Sequence, residues 1–121
     1  MYSAVVLDKA SQDKLLSYFG SIIPVGWKKY GHHMTIKMGE LDSAQKQDLG
    51  KEVELQVVGI GRSDMAIAAQ VKGYPTMNKI PHITLAINIE AGAKPKMSND
   101  ITNWQPISLS LSLKGIVSEV A

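Results

Sequence analysis

Two short segments of this chain carry side chains that can move protons at neutral pH. They are His33-Met34-Thr35-Ile36 and His82-Ile83-Thr84-Leu85, each reading His, any residue, Thr, aliphatic. Both sit in apolar, β-prone runs, and residues two apart on a strand share a face. His33 and Thr35 therefore share one face and Met34 and Ile36 the other. His82 and Thr84 likewise lie opposite Ile83, Leu85 and Ile87. Cleaving a phosphodiester requires a proton taken from the attacking oxygen and another given to the leaving oxygen. Histidine titrates near neutrality, so one imidazole can serve as base while a second serves as acid. Each such transfer is typically worth ~10²–10⁴-fold in rate. The transition state also gathers charge on its non-bridging oxygens, to which the hydroxyls of Thr35 and Thr84 can donate hydrogen bonds.

One His-x-Thr means little by itself, because a strand histidine is usually a structural residue. Two in the same context, in a chain with three histidines, make a stronger pattern. The third, His32, is adjacent to His33. On a continuous strand the two would point to opposite faces and could not hold one ion together, so His32 reads as structural or as a cleft-rim residue. No His-x-x-x-His, Asp-x-Asp or carboxylate cluster accompanies the histidines, so neither a metal site nor a cofactor is expected. Gly50-Lys51 and Gly59-Ile60-Gly61 complete no nucleotide-binding loop and read as turns.

Further residues are candidates for substrate contact. Trp27 and Tyr30 precede the first motif and can stack on a base, a contact worth ~1–3 kcal/mol per base. Lys37 lies on the His33–Thr35 face as a phosphate neighbour. Lys94 and Lys96 follow the second motif and can steer an anion. Ser98 and Asn99 can cap a short helix or present polar groups to a ligand. Each also has an ordinary reading, as a core aromatic, a solvated lysine or a cap.

The elements that must position these residues follow from periodicity. Residues 2–7 form a short apolar strand, and Ser11 can cap a helix through Phe19 with Leu15, Leu16 and Phe19 at helical spacing. A strand is predicted over His33–Met38 and a short helix from Asp42 or Ser43 to Leu49. Val53–Ile60 and Met65–Val71 form a hairpin broken at Gly61-Arg62-Ser63-Asp64. The second motif strand spans His82–Ile89. A last strand alternates through Ile107, Leu109, Leu111 and Leu113, with Val117 beyond it. This is an α+β pattern of many strands and two short helices. The order strand, helix, motif strand and then hairpin, loop, motif strand suggests two lobes facing a cleft.

The length of 121 residues sets one domain, 1–121, and 45% apolar with 20% charged residues is ordinary for a globular chain. The absence of cysteine removes disulfides, thiolate sites and cysteine nucleophiles. No apolar run approaches membrane-spanning length, and the start Met1-Tyr2-Ser3-Ala4-Val5-Val6-Leu7 lacks the features of a signal peptide. A cytoplasmic protein without membrane association is the expectation. A net charge of +2 suits a small phosphate-bearing ligand better than a long polyanion.

Through Tyr30-Gly31-His32-His33-Met34-Thr35-Ile36 and Lys79-Ile80-Pro81-His82-Ile83-Thr84-Leu85-Ala86, the sequence resembles the 2H phosphoesterase superfamily, named for two His-x-Thr/Ser-x motifs. It is most similar to the cyclic phosphodiesterase branch found in tRNA ligases and in small phage and bacterial proteins. The resemblance implies antiparallel sheets from two pseudo-symmetric halves facing a central cleft, with a helix packed on each. It also implies a metal-independent enzyme, with His33 and His82 catalytic and Thr35 and Thr84 on the phosphate. The expected substrate is a nucleotide or RNA end carrying a 2′,3′-cyclic phosphate, with no obligate protein partner. A variant in the same class cleaves 3′–5′ bonds of cyclic oligonucleotide signals. An alternative of another class is a non-catalytic nucleotide- or RNA-binding module. Two titrating groups favour the enzyme, since a pure binder needs neither.

Overall fold

The computed structural model describes residues 1–108 and 110–121. Its strands are β1 (Tyr2–Leu7), β2 (Lys28–Lys29), β3 (His33–Met38), β4 (Glu52–Arg62), β5 (Ala66–Lys72), β6 (His82–Ile87), β7 (Asn103–Pro106) and β8 (Ser112–Val120). All pairings are antiparallel. Following hydrogen-bonded neighbours, β6 meets β3, then β1, β8, β4 and β5, and β5 pairs back onto β6. The sheet closes into a small barrel. The short β2 extends β6 beyond its meeting with β3, and β7 extends the β8 side of β4.

This corrects the expectation of two α+β lobes. The strands of the two chain halves are interleaved: the C-terminal β8 lies between β1 and β4, and the N-terminal half's β3 touches β6. Among the described residues closure leaves no long free edge and surrounds one interior, which a split into lobes would have exposed. Bulges at Ser3/Ala4, Val57/Gly59 and Ile67/Ala68 add the local bend that closing a short sheet requires.

The interior is filled by one face of each of the six longer strands, including Val5, Met34, Leu55, Ile83, Leu85 and Leu113, all fully buried. Burying such a side chain stabilises the fold by roughly 1.5–3 kcal/mol. The one sizeable helix among the described residues, α1 (Lys9–Phe19), contributes Leu15 and Phe19 to this core. Its cap is Asp8 rather than Ser11: the Asp8 carboxylate accepts from the Ser11 N–H at 2.7 Å. The Ser11 hydroxyl is freed to accept from the Lys114 N–H of β8 at 2.8 Å, tying helix to barrel. The second expected helix is a single turn, α2 (Ser43–Lys46), instead of a run to Leu49.

Further boundaries differ from the periodicity: the second motif strand ends at Ile87 rather than Ile89, because a 3-10 turn (Ile89–Ala91) takes over there. Gly59 and Gly61 lie within β4, paired on both sides by β5 and β7, not in a turn, and close neighbours explain why both positions are glycine. A methyl on Gly61 would sit 2.5 Å from the Trp104 indole, and one on Gly59 would sit 2.9 Å from the Gln105 carbonyl. The last strand starts at Ser112, and the short β7 precedes it; the expected position of Leu109 lies outside the described residues. No helix among the described residues is long and apolar enough to cross a membrane.

Candidate active site

Strand alternation puts Met34 and Ile36 of β3 and Ile83 and Leu85 of β6 inside the barrel. His33, Thr35, His82 and Thr84 are left on its outer wall. Because β3 and β6 are direct neighbours, paired at Met34 and Ile83, the two motifs stand side by side on one wall. A covering layer builds up the sides. The segment Ile89–Ile101 lies over β5 and β6, where Ala93 and Ile101 pack against Ala66, Ala68 and Ile87. On the other side, the Thr76 hydroxyl donates to the Thr35 carbonyl at 2.7 Å and the Met77 N–H donates to the Ile36 carbonyl at 2.8 Å. The loop of residues 73–81, between β5 and β6, thereby occupies the β3 edge where β6 has diverged.

The result is a cleft of about 470 Å³ lined by all four motif residues, with Tyr2, Tyr30, His32, Lys37, Met38, Met77, Asn78, Pro95, Lys96 and Asn99. Among the described residues no carboxylate lines it, while two lysines do. It is thus suited to an anion.

The histidines are held differently. His82 is 8% exposed, and its Nδ1 lies 2.7 Å from the Ile80 carbonyl. A carbonyl only accepts, so Nδ1 carries the proton and Nε2 is the lone-pair nitrogen of the neutral ring. Burial pushes the His82 pKa down, opposed by this hydrogen bond. The Trp104 ring, 5.9 Å away between centroids, forms part of that burial. The Trp104 Nε1–H donates to the Ile101 carbonyl at 2.9 Å, which fixes the indole.

His33 packs at 5.0 Å, centroid to centroid, on Tyr2 of β1. Burial, with His32 and His82 adding as neighbouring positive charges, pushes its imidazole down to about 4 from the usual 6.5. Its Nδ1 lies 2.9 Å from the Nδ1 of His32. The expectation that these two rings face opposite ways is therefore wrong. His32 lies before β3 begins, after Gly31 at φ +65°, so strand alternation does not govern it. Among the described residues there is no group of three or more His, Asp or Glu side chains placed to hold a metal ion.

The threonines also differ. The Thr84 hydroxyl is 2.8 Å from that of Ser98, which is 1% exposed. Ser98 thus touches the motif threonine and stands behind it. Lys37 lines the cleft but is paired with Asp42 at 2.7 Å, a partly exposed contact of the kind worth about 0–1 kcal/mol. Tyr30 lines the cleft with the Lys28 ammonium 5.2 Å over its ring. Trp27 packs against the barrel core instead, and Lys94 is exposed away from the cleft lining. Tyr2, Met77, Asn78 and Trp104 were not legible as site residues. Nothing in their local sequence signals a neighbour brought from another strand.

A second cavity, of about 500 Å³, adjoins the first through Asn78, His82 and Asn99. Its other walls include Lys79, Ile80, Asp100, Thr102 and Trp104.

Comparison with known proteins adds a family to this geometry. No curated protein matches the chain. Residues 23–117, which hold both motifs and six of the eight strands in full, match the family described as the fungal tRNA ligase phosphodiesterase domain. With most of its length covered by that match, the chain belongs to the tRNA ligase cyclic phosphodiesterase family, the branch of the 2H phosphoesterases that its two motifs resemble.

Proposed function

We propose that this protein is a metal-independent cyclic phosphodiesterase that opens a 2′,3′-cyclic phosphate on a nucleotide or RNA end. The observation that carries the reading is that both His-x-Thr motifs line one cleft without a carboxylate among its described walls. In this scheme one imidazole takes a proton from the attacking water and the other gives one to the leaving ribose oxygen. Thr35 and Thr84 donate to the phosphoryl oxygens as these gain charge, with Lys96 supplying background positive potential. Water attacks phosphorus, the P–O bond to one ribose oxygen breaks, and the product is a phosphomonoester.

Cleavage of 3′–5′ bonds in a cyclic oligonucleotide is the second reading. It is favoured by the adjoining cavity, which gives room for a nucleoside on the far side of His82. The test is to incubate the protein, with EDTA, with 2′,3′-cyclic nucleotides, cyclic-phosphate-ended RNA and cyclic oligonucleotides, and to resolve products by mass. Turnover of the first two classes is expected. Turnover of cyclic oligonucleotides alone would move the assignment to the second reading. Loss of activity in EDTA, restored by a divalent ion, would overturn metal independence. Tight binding without turnover would make the protein a binding module.

A further inference from the structure

Cleavage by paired histidines asks His33 to take or give a proton at the nitrogen facing the phosphate. Its Nδ1 is engaged by His32, so Nε2 is that nitrogen. The ring is half-buried against Tyr2, and burial makes its own positive charge unfavourable. His32 is exposed, so water solvates a charge there. Its place is fixed by the backbone: the Leu7 N–H donates to the His32 carbonyl at 2.9 Å.

We propose that His32 and His33 work as one proton-sharing pair, in which His32 holds the Nδ1 of His33 and receives the Nδ1 proton when catalysis delivers another to His33 Nε2. This rests on the phosphodiesterase reading. The step balances. In the neutral pair His33 Nδ1–H donates to His32 Nδ1, and His33 Nε2 carries the lone pair. When Nε2 accepts the proton of the attacking water, the Nδ1 proton crosses the bond to His32. The positive charge then rests on the exposed ring, and His33 is left neutral as the Nε2–H tautomer. His32 acts through His33 and is a positioning residue.

The groups facing the pair are few. Tyr2 of β1 lies against His33, His82 of β6 adds a like charge when protonated, Lys37 is paired with Asp42, and Lys96 lies along the same cleft. A carboxylate, which would tie up the shared proton, is missing from the cleft lining among the described residues.

The test compares His32→Ala and His32→Asn in the full chain by cyclic-phosphate turnover across pH and by ¹⁵N-edited NMR of the His33 ring. Asn can accept from His33 Nδ1–H but cannot take its proton. With His32→Ala, kcat is expected to fall roughly 10–100-fold with KM little changed, by analogy with the loss seen when the partner orienting a metal-bound histidine is removed. The His33 ring should then lose its fixed tautomer, and its titration should move to higher pH as the neighbouring charge disappears. With His32→Asn the tautomer should return while kcat stays low. Full recovery of kcat in His32→Asn would overturn proton receipt by His32. Wild-type kcat and an unmoved His33 spectrum in His32→Ala would overturn the pair altogether. Failure of the underlying reading is separate: it shows as wild-type protein with no turnover on any cyclic phosphate.

Discussion

The two motifs are the same in text and different in support. His82 is anchored to a backbone carbonyl, buried, and packed beneath Trp104. His33 is anchored to the side chain of another histidine and packed on Tyr2. Thr84 is bonded to the buried Ser98, whereas Thr35 forms no side-chain hydrogen bond among the described residues. A carbonyl can only accept, so it locks one tautomer of His82. An imidazole can accept or donate, so the His33 side can pass a proton on. A repeated motif therefore need not give repeated function: the group behind each ring decides what it can do with a proton.

Removing either ring should cost the most. His33→Ala and His82→Ala are each expected to lower kcat by roughly 10²–10⁴-fold, the range for a lost general acid or base. Circular dichroism should show the barrel intact, because both rings lie on its outer wall. If one variant keeps near wild-type turnover, the two-histidine scheme fails.

The threonines test the same asymmetry more finely. Thr35→Val and Thr84→Val remove a hydroxyl at nearly constant shape and should each lower kcat by roughly 10–10³-fold if the hydroxyls bind developing charge. Ser98→Ala should reproduce part of the Thr84→Val loss, since it only frees the Thr84 hydroxyl to rotate. A rise in KM at unchanged kcat in the threonine variants would show ground-state binding instead.

The pH dependence follows from the direction of the shifts. Both histidines are lowered below 6.5, His33 to about 4, chiefly by burial. Rate rises with pH as the base loses its proton and falls as the acid loses its own. Since kcat/KM reports the free enzyme, its bell should be centred below pH 6.5. The kcat profile should sit at higher pH, because a bound phosphate favours the imidazolium. A kcat/KM profile flat from about pH 4 to 8, across the range where these rings titrate, would count against both histidines.

Stability gives the smallest effect. A histidine whose folded pKa is lowered binds fewer protons folded than unfolded between the two values. The stability it contributes is present above 6.5 and lost progressively toward about 4. Tm should therefore fall as pH drops through that window, and His33→Ala should flatten the fall. An unchanged slope in that variant would mean that His33 is not held neutral by burial.

Local alternation is legible in the sequence itself. The strand at His33–Met38 has the expected bounds, and Met34, Ile36, Ile83 and Leu85 face inward because period two depends only on the backbone of their own segment. The helix ending at Phe19 follows likewise from apolar spacing within one segment. The four motif residues thus reach one face each by local rules. What joins those faces is not local. Closure of the barrel rests on β8 lying beside β1, from opposite ends of the chain, and on the contact of Met34 with Ile83. His32 joins His33 because Gly31 turns the backbone just before the strand begins. Trp104 reaches His82 across a glycine in β4, while Trp27 goes to the core and Lys94 to solvent. Residue types and their periodicity determined which side chains could do chemistry and which way each strand turned them. The partner behind each ring was settled by the tertiary fold alone, because long-range pairing sums weak preferences over the whole chain and leaves no mark at any single position.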